Sequence, residues 1–221
     1  MRYVLKSKGA GPIQVRRPLT VSILEELVRS VDLDEYDVLV YCTMLAVGVY
    51  GMLRIGEVCF QKTKKITKFI ANRDISLLRD HVKIILHRTK TDIERRGVEK
   101  FISNVGEIKS NPFILARNLK MCKLSSEGRD QPFFALKTGI PANVSRFLQR
   151  TLSYIYPQIP KQEWSGVSLR KGGATSALRG RVETIEYLGH WRSTVYKTYI
   201  SHDISDVKAA QRKMAAVIPQ P

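Results

Sequence analysis

The chain has 221 residues, 43% of them hydrophobic, with 37 Lys+Arg against 20 Asp+Glu and a formal net charge of +17. That length and composition fit one large or two small globular units with a real core, and exclude disordered and collagen-like chains. Cys42, Cys59 and Cys122 are odd in number and far apart, so they form neither a disulfide framework nor a CxxC metal site, and a reducing compartment is expected.

Residues 1–18 set Gly9, Gly11, Pro12 and Pro18 among basic side chains, which predicts an extended arm or linker. Met1 to Gly11 lacks the apolar stretch of a secretory signal. Ser22-Ile23-Leu24-Glu25 has the form of a capping box, with Ile23, Leu24, Leu27, Val28 and Val31 following at helical spacing. A second helix is expected from about Asp34 to the Gly51 region. Its uncharged run, the sixteen residues Val38 to Leu53, is bracketed by Asp37 and Arg54 and is shorter than the roughly 20 residues a membrane span needs. A helix apolar on all sides belongs in the centre of a core, so no membrane partner is expected.

Val82, Ile84 and Leu86 alternate with other residues in 81–86, which predicts a half-buried strand. Residues 88–97 read as a hairpin tip and 100–105 as the returning strand. From Pro112 onward helices are expected over 112–123, 142–155, 168–179, 182–188, 193–200 and 204–216. The expected fold class is α+β, mostly helical, with one small antiparallel β-sheet near residues 74–105.

A chain this basic repels itself unless a polyanion neutralises it, which points to nucleic acid, DNA or RNA, and by itself says nothing of chemistry. HExxH, GxxxxGK[ST] and GxSxG are absent, as are carboxylate clusters with metal-binding spacing. Metal-dependent nuclease and NTPase readings are therefore weak, and no metal or other cofactor is expected.

Several motifs remain. Arg54 follows the apolar helix in Leu53-Arg54-Ile55-Gly56-Glu57, where Glu57 can compensate its charge. On this feature alone a structural ion pair is as good a reading as a functional one. Ser168-Leu169-Arg170-Lys171-Gly172-Gly173-Ala174-Thr175 opens a helix whose small residues allow close approach, and Arg170 could equally cap backbone there. Lys90 stands in Arg88-Thr89-Lys90-Thr91, His190 in Leu188-Gly189-His190-Trp191, and Tyr199 in Tyr196-Lys197-Thr198-Tyr199-Ile200.

These five motifs, in this order, resemble the catalytic domain of tyrosine recombinases of the lambda-integrase and Cre type. The SLRKGGAT wording is most similar to recombinases of eukaryotic mobile elements, the Crypton and DIRS-like groups. The resemblance covers about residues 18 to 202, and implies an arm at 1–18, a catalytic domain at 19–202 and a C-terminal helix or tail at 203–221. It further implies that Arg54 and Arg170 clamp a scissile DNA phosphate, a task suited to planar, permanently charged guanidinium forks. His190 donates a further hydrogen bond, Lys90 protonates the departing 5′-oxygen, and Glu57 orients Arg54. Tyr199 attacks phosphorus and forms a 3′-phosphotyrosyl link without metal or ATP. Tyr196 and Tyr187 compete with Tyr199, which is preferred for its nine-position spacing from His190. Lys83 and Arg88 compete with Lys90.

One position departs from the family's His-x-x-Arg, because Val167 stands three residues before Arg170. Valine neither donates to a phosphate nor takes a proton, and losing one such donor costs roughly 10²–10³ in rate. A slow enzyme, a substitution by Ser168 or water, and a decayed, repurposed or mutated copy are the alternatives. Lys62, Lys64, Lys65 and Lys68, then Arg88, Arg95, Arg96 and Lys100 along the hairpin, then Lys171, Arg179 and Arg181, are expected to contact duplex phosphates.

By the same resemblance the chain starts at about the linker to an N-terminal DNA-clamp domain, works as a homo-oligomer (a dimer on one site, a tetramer in synapsis) and acts in the nucleus on integration or excision of a mobile element. Residues 204–216 either dock on their own domain or are exchanged between protomers. The rival expectations are a catalytically impaired or domesticated DNA-binding protein and a basic RNA-associated scaffold.

Overall fold

A computed structural model of the protein describes residues 16–59, 61–62, 67–87, 97–123, 128–139, 142–180, 188–189 and 204–217. Of these, the side chains of 61–62, 67–68, 178–179, 204–207 and 209 are outside the description.

The first helix, α1 (Val21–Arg29), is capped by Thr20, whose hydroxyl accepts from the Ile23 N–H at 3.4 Å. The expected cap at Ser22 is therefore corrected. Val21 and Leu24 both face the core, so the helix must already be running at Val21, and Ser22 lies inside it. Glu25 is buried and accepts from the Ser110 N–H at 2.8 Å and from Arg29 at 2.6 Å instead of closing a capping box.

The second helix, α2 (Tyr36–Tyr50), is buried almost without a break from Leu39 on, as its unbroken apolarity requires. It packs against α1 and against three later helices, α4 (Pro112–Lys123), α5 (Val144–Ile155) and α6 (Val167–Arg179). Its C-terminus closes with paired turn bonds: the Met52 N–H donates to the Val49 carbonyl at 3.1 Å, and the Leu53 N–H to that of Gly48 at 2.9 Å. That pattern needs a left-handed residue in the turn, usually glycine. Here it is Met52, with φ 49°, held there by a fully buried side chain. The chain leaves this turn directly into Arg54 and the single-turn α3 (Ile55–Val58).

A two-residue antiparallel pair, β1 (Gln61–Lys62) with β2 (Thr67–Lys68), precedes a three-stranded antiparallel meander. The meander comprises β3 (Ile75–Leu77), β4 (His81–Leu86) and β5 (Val98–Ser103) in that spatial order. The returning strand is set two residues earlier than expected. Val82, Ile84 and Leu86 are buried as their alternation requires, with Ile84 opposite Lys100 and Val82 opposite Ile102. The last described helix, α7 (Ile204–Ala215), lies on β5 and α6 of the same chain. Its Gln211 is fully buried, accepting from the Ser103 N–H and donating to the Phe101 carbonyl at 2.9 Å.

The described residues are thus mixed helix and a small antiparallel sheet, an α+β arrangement built around α2. No helix among them is long and apolar enough to cross a membrane. Of the expected arm at 1–18 only 16–18 are described, of the expected helix at 182–188 only Leu188, and of the expected tip at 88–97 only Gly97; the expected helix at 193–200 lies outside the described residues.

Candidate functional site

Three glycines bring the second arginine motif to the first. A Cβ on Gly172 would overlap the Leu19 carbonyl oxygen, and one on Gly173 would overlap the carbonyl of Val49. Both clashes are with backbone, so α6 lies against the segment before α1 and against α2 only because these residues carry no side chain. Gly166, just before α6, abuts the Ile55 side chain in the same way. The start of α6 is therefore pressed onto α3, and residues 54 and 170, far apart in sequence, become neighbours.

Arg54 is the N-cap of α3 and Glu57 its third residue. One Glu57 carboxylate oxygen accepts from the Arg54 backbone N–H at 2.8 Å, and the other accepts from its guanidinium at 2.9 Å. The Glu57 side chain is 10% exposed and that of Arg54 33%, so the pair is half-sheltered with the guanidinium toward solvent. Arg170, in the first turns of α6, is half-buried and donates through Nη2 to the Gly189 carbonyl. Partial burial lowers its pKa; the nearby Arg54 charge lowers it further, and Glu57 opposes both. Among the described residues the two guanidiniums thus share one neighbourhood with Glu57, an arrangement of two positive charges and one negative that suits an anion.

Lys100 departs from its expected place among the phosphate-contacting side chains. It was expected on the basic outer run of the hairpin; instead it is 8% exposed, on the inward face of β5 beside Ile102. Its Nζ donates to the Leu188 carbonyl. Burial pushes its pKa down to about 7; Glu57 opposes that shift, and Arg170 and Arg54 add to it. The signal that could have found it is the strand's own period, because residues 100 and 102 share a face and Ile102 is apolar.

Val167 is the first residue of α6 and is 58% exposed. Ser168 cannot stand in for the missing histidine. It is fully buried, and its hydroxyl accepts from the Ser165 N–H at 3.0 Å. Lys171 is exposed and donates to the Arg16 carbonyl at 2.7 Å, and Lys83 pairs with Glu99 at 3.1 Å. Lys90, His190 and Tyr199 lie outside the described residues, as do Lys64, Lys65, Arg88, Arg95, Arg96, Arg181, Tyr187 and Tyr196, and the side chains of Lys62, Lys68 and Arg179. Among the described residues no group of His, Cys, Asp and Glu is arranged to hold a metal ion.

No family model matches the chain, and no curated protein is significantly similar to it in sequence.

Proposed function

We propose that the chain is the catalytic domain of a tyrosine recombinase, which cuts and rejoins duplex DNA through a covalent 3′-phosphotyrosine at Tyr199. The observation that supports it is the meeting of Arg54 and Arg170, both half-sheltered, beside a shared Glu57. Those two arginines come from the two most informative motifs of the series, and pairing them costs electrostatic repulsion that a bound phosphodiester relieves.

The mechanism follows from what each group can do. Arg54 and Arg170 hold the non-bridging oxygens of the scissile phosphate and balance the charge that grows there as phosphorus is attacked. Glu57 fixes the Arg54 fork by gripping both its backbone and its guanidinium. Tyr199 supplies the attacking oxygen and gives its phenolic proton to solvent water. The P–O5′ bond breaks as the new O–P bond forms, Lys90 supplies the proton for the leaving 5′-oxygen, and His190 is a further donor. The phosphotyrosyl link conserves the energy of the broken ester, so religation needs no nucleotide cofactor. Double-stranded DNA as partner, assembly into dimers and synaptic tetramers, action on a mobile element and a nuclear address belong to the same proposal.

Val167 favours a second reading, a DNA-binding descendant that cleaves slowly or not at all. Its exposed isopropyl group offers neither donor nor acceptor where the family has histidine. Incubation with a pool of nicked duplexes of randomised sequence, followed by denaturing electrophoresis, separates the readings. A protein–DNA species that resists denaturant and is lost in Tyr199→Phe supports the recombinase. Duplex binding without that species supports the descendant. Preference for structured RNA over duplex DNA contradicts both.

A further inference from the structure

A lysine on the inward face of a strand, between positions as apolar as Ile84 and Ile102, has no packing reason to be charged. Ile84 and Ile102 are themselves fully buried. Its amino group reaches Leu188, the residue whose chain neighbour Gly189 is held by Arg170. We propose that Lys100 is a positioning residue of the arginine site: its buried amino group and the Arg170 guanidinium hold the successive carbonyls of Leu188 and Gly189, anchoring to the arginine pair the backbone that continues into His190. The proposal rests on the reading of Arg54 and Arg170 as a phosphate-binding pair.

The same geometry couples the clamp to occupancy of the site. Of the charged groups around Lys100, Glu57 of α3 favours its protonated form, and Arg170 of α6 and Arg54 oppose it. Among the described residues, the other elements packed here add little. On β4 the residue opposite is Ile84, and the Lys83–Glu99 pair lies on the other face of the sheet. On α7, Lys208 is engaged with Asp80 at 2.7 Å, and Gln211 is uncharged. From α4, Lys120 donates to the Ile75 carbonyl. Burial and the two arginines leave the Lys100 amine half-protonated near pH 7. A phosphodiester between the arginines cancels their repulsion, so the amine takes up one proton from solvent and becomes an ammonium. A charged donor bonds a carbonyl more strongly than a neutral one, and DNA binding therefore tightens the clamp on the segment that carries His190.

Protein labelled with ¹³C at lysine Cε, titrated by NMR with and without a short duplex oligonucleotide, tests this. The expected result is one resonance, absent from Lys100→Met, with a midpoint near 7 in the free protein. That midpoint rises by about 1 or more when the duplex is bound. In Arg54→Gln the free-protein midpoint starts higher and the duplex moves it less. If the methionine variant does not fold, Lys100→Arg removes the same resonance while keeping a cation. A Lys100 midpoint that stays fixed on duplex binding, or that lies with those of the surface lysines, overturns the inference. The readout needs no strand cleavage. An unmoved Lys100 in a protein that forms the Tyr199 adduct sinks the clamp and spares the recombinase; a moved one in a protein without adduct does the reverse. A duplex that does not bind at all overturns both.

Discussion

Glu57 holds Arg54 at both ends of the residue, one carboxylate oxygen on its backbone N–H and the other on its guanidinium. The fork is thereby oriented by the same group that starts the helix beneath it, so helix capping and site geometry depend on one carboxylate. Glu57→Gln keeps an acceptor for the backbone and sets an amide against the guanidinium. The expected outcome is a stability loss of about 1–3 kcal/mol by denaturant unfolding, with covalent-adduct formation falling by a larger factor than duplex affinity. Equal losses in the two would show that Glu57 acts on binding alone.

The glycines that join α6 to α2 give a prediction free of any functional assumption. Gly173→Ala drives a methyl group into the Val49 carbonyl, a backbone atom that cannot step aside. A loss of about 1–3 kcal/mol or more is expected by chemical denaturation. Gly128→Ala meets nothing closer than 4.0 Å at an ordinary φ, and should lie within about 0.5 kcal/mol of the parent.

The exposed position of Val167 makes histidine easy to accommodate. Val167→His should leave the unfolding midpoint unchanged and, on the recombinase reading, raise the rate of strand cleavage by roughly 10²–10³. A nicked-duplex cleavage time course measures this, and an unaltered rate would remove the missing donor as the cause of slow chemistry.

Lys100 also makes stability depend on pH with a definite sign. Its pKa falls from 10.5 to about 7 on folding, so between those values the unfolded chain binds more protons than the folded one. Stability therefore rises as pH increases from about 7. Above pH 9 the buried thiols of Cys42 and Cys59, pushed from 9.0 up to about 12, act in the opposite direction, because there the unfolded chain loses protons that the folded one keeps. Thermal unfolding between pH 7 and 9 should show a rising midpoint in the parent and a flatter one in Lys100→Met.

Much of this fold is legible in the residues because one pattern dominates locally. The apolar run from Val38 leaves α2 no choice but the centre, and Val82, Ile84 and Leu86 can only be a half-buried strand. Where two signals compete, the shorter-range one misleads. Ser22-x-x-Glu25 fits a capping box better than Thr20 does, yet burial of Val21 starts the helix earlier and turns Glu25 toward Ser110. In the hairpin, the charge of Lys100 suggests solvent, and the strand period that puts it beside Ile102 prevails. The pairs β1 and β2 are too short to leave a pattern. For the site, Arg54, Glu57 and Arg170 are visible as motif residues. Their convergence is expected from the resemblance alone; its physical cause, Gly172 and Gly173 letting backbones touch and Gly166 admitting the Ile55 side chain, is written in no single segment. The hold of Lys100 on Leu188, by contrast, is a tertiary fact with no trace in any one segment.

On the proposed function, the two arginines present a DNA phosphate to one tyrosine. The most direct measurement is mass spectrometry of peptides from protein incubated with nicked duplex and then treated with nuclease. The expected product is a nucleotide attached through its 3′-phosphate to the peptide containing Tyr199, absent in Arg54→Gln and in Arg170→Gln. A nucleotide on another residue, or none at all from duplex that is bound, contradicts it.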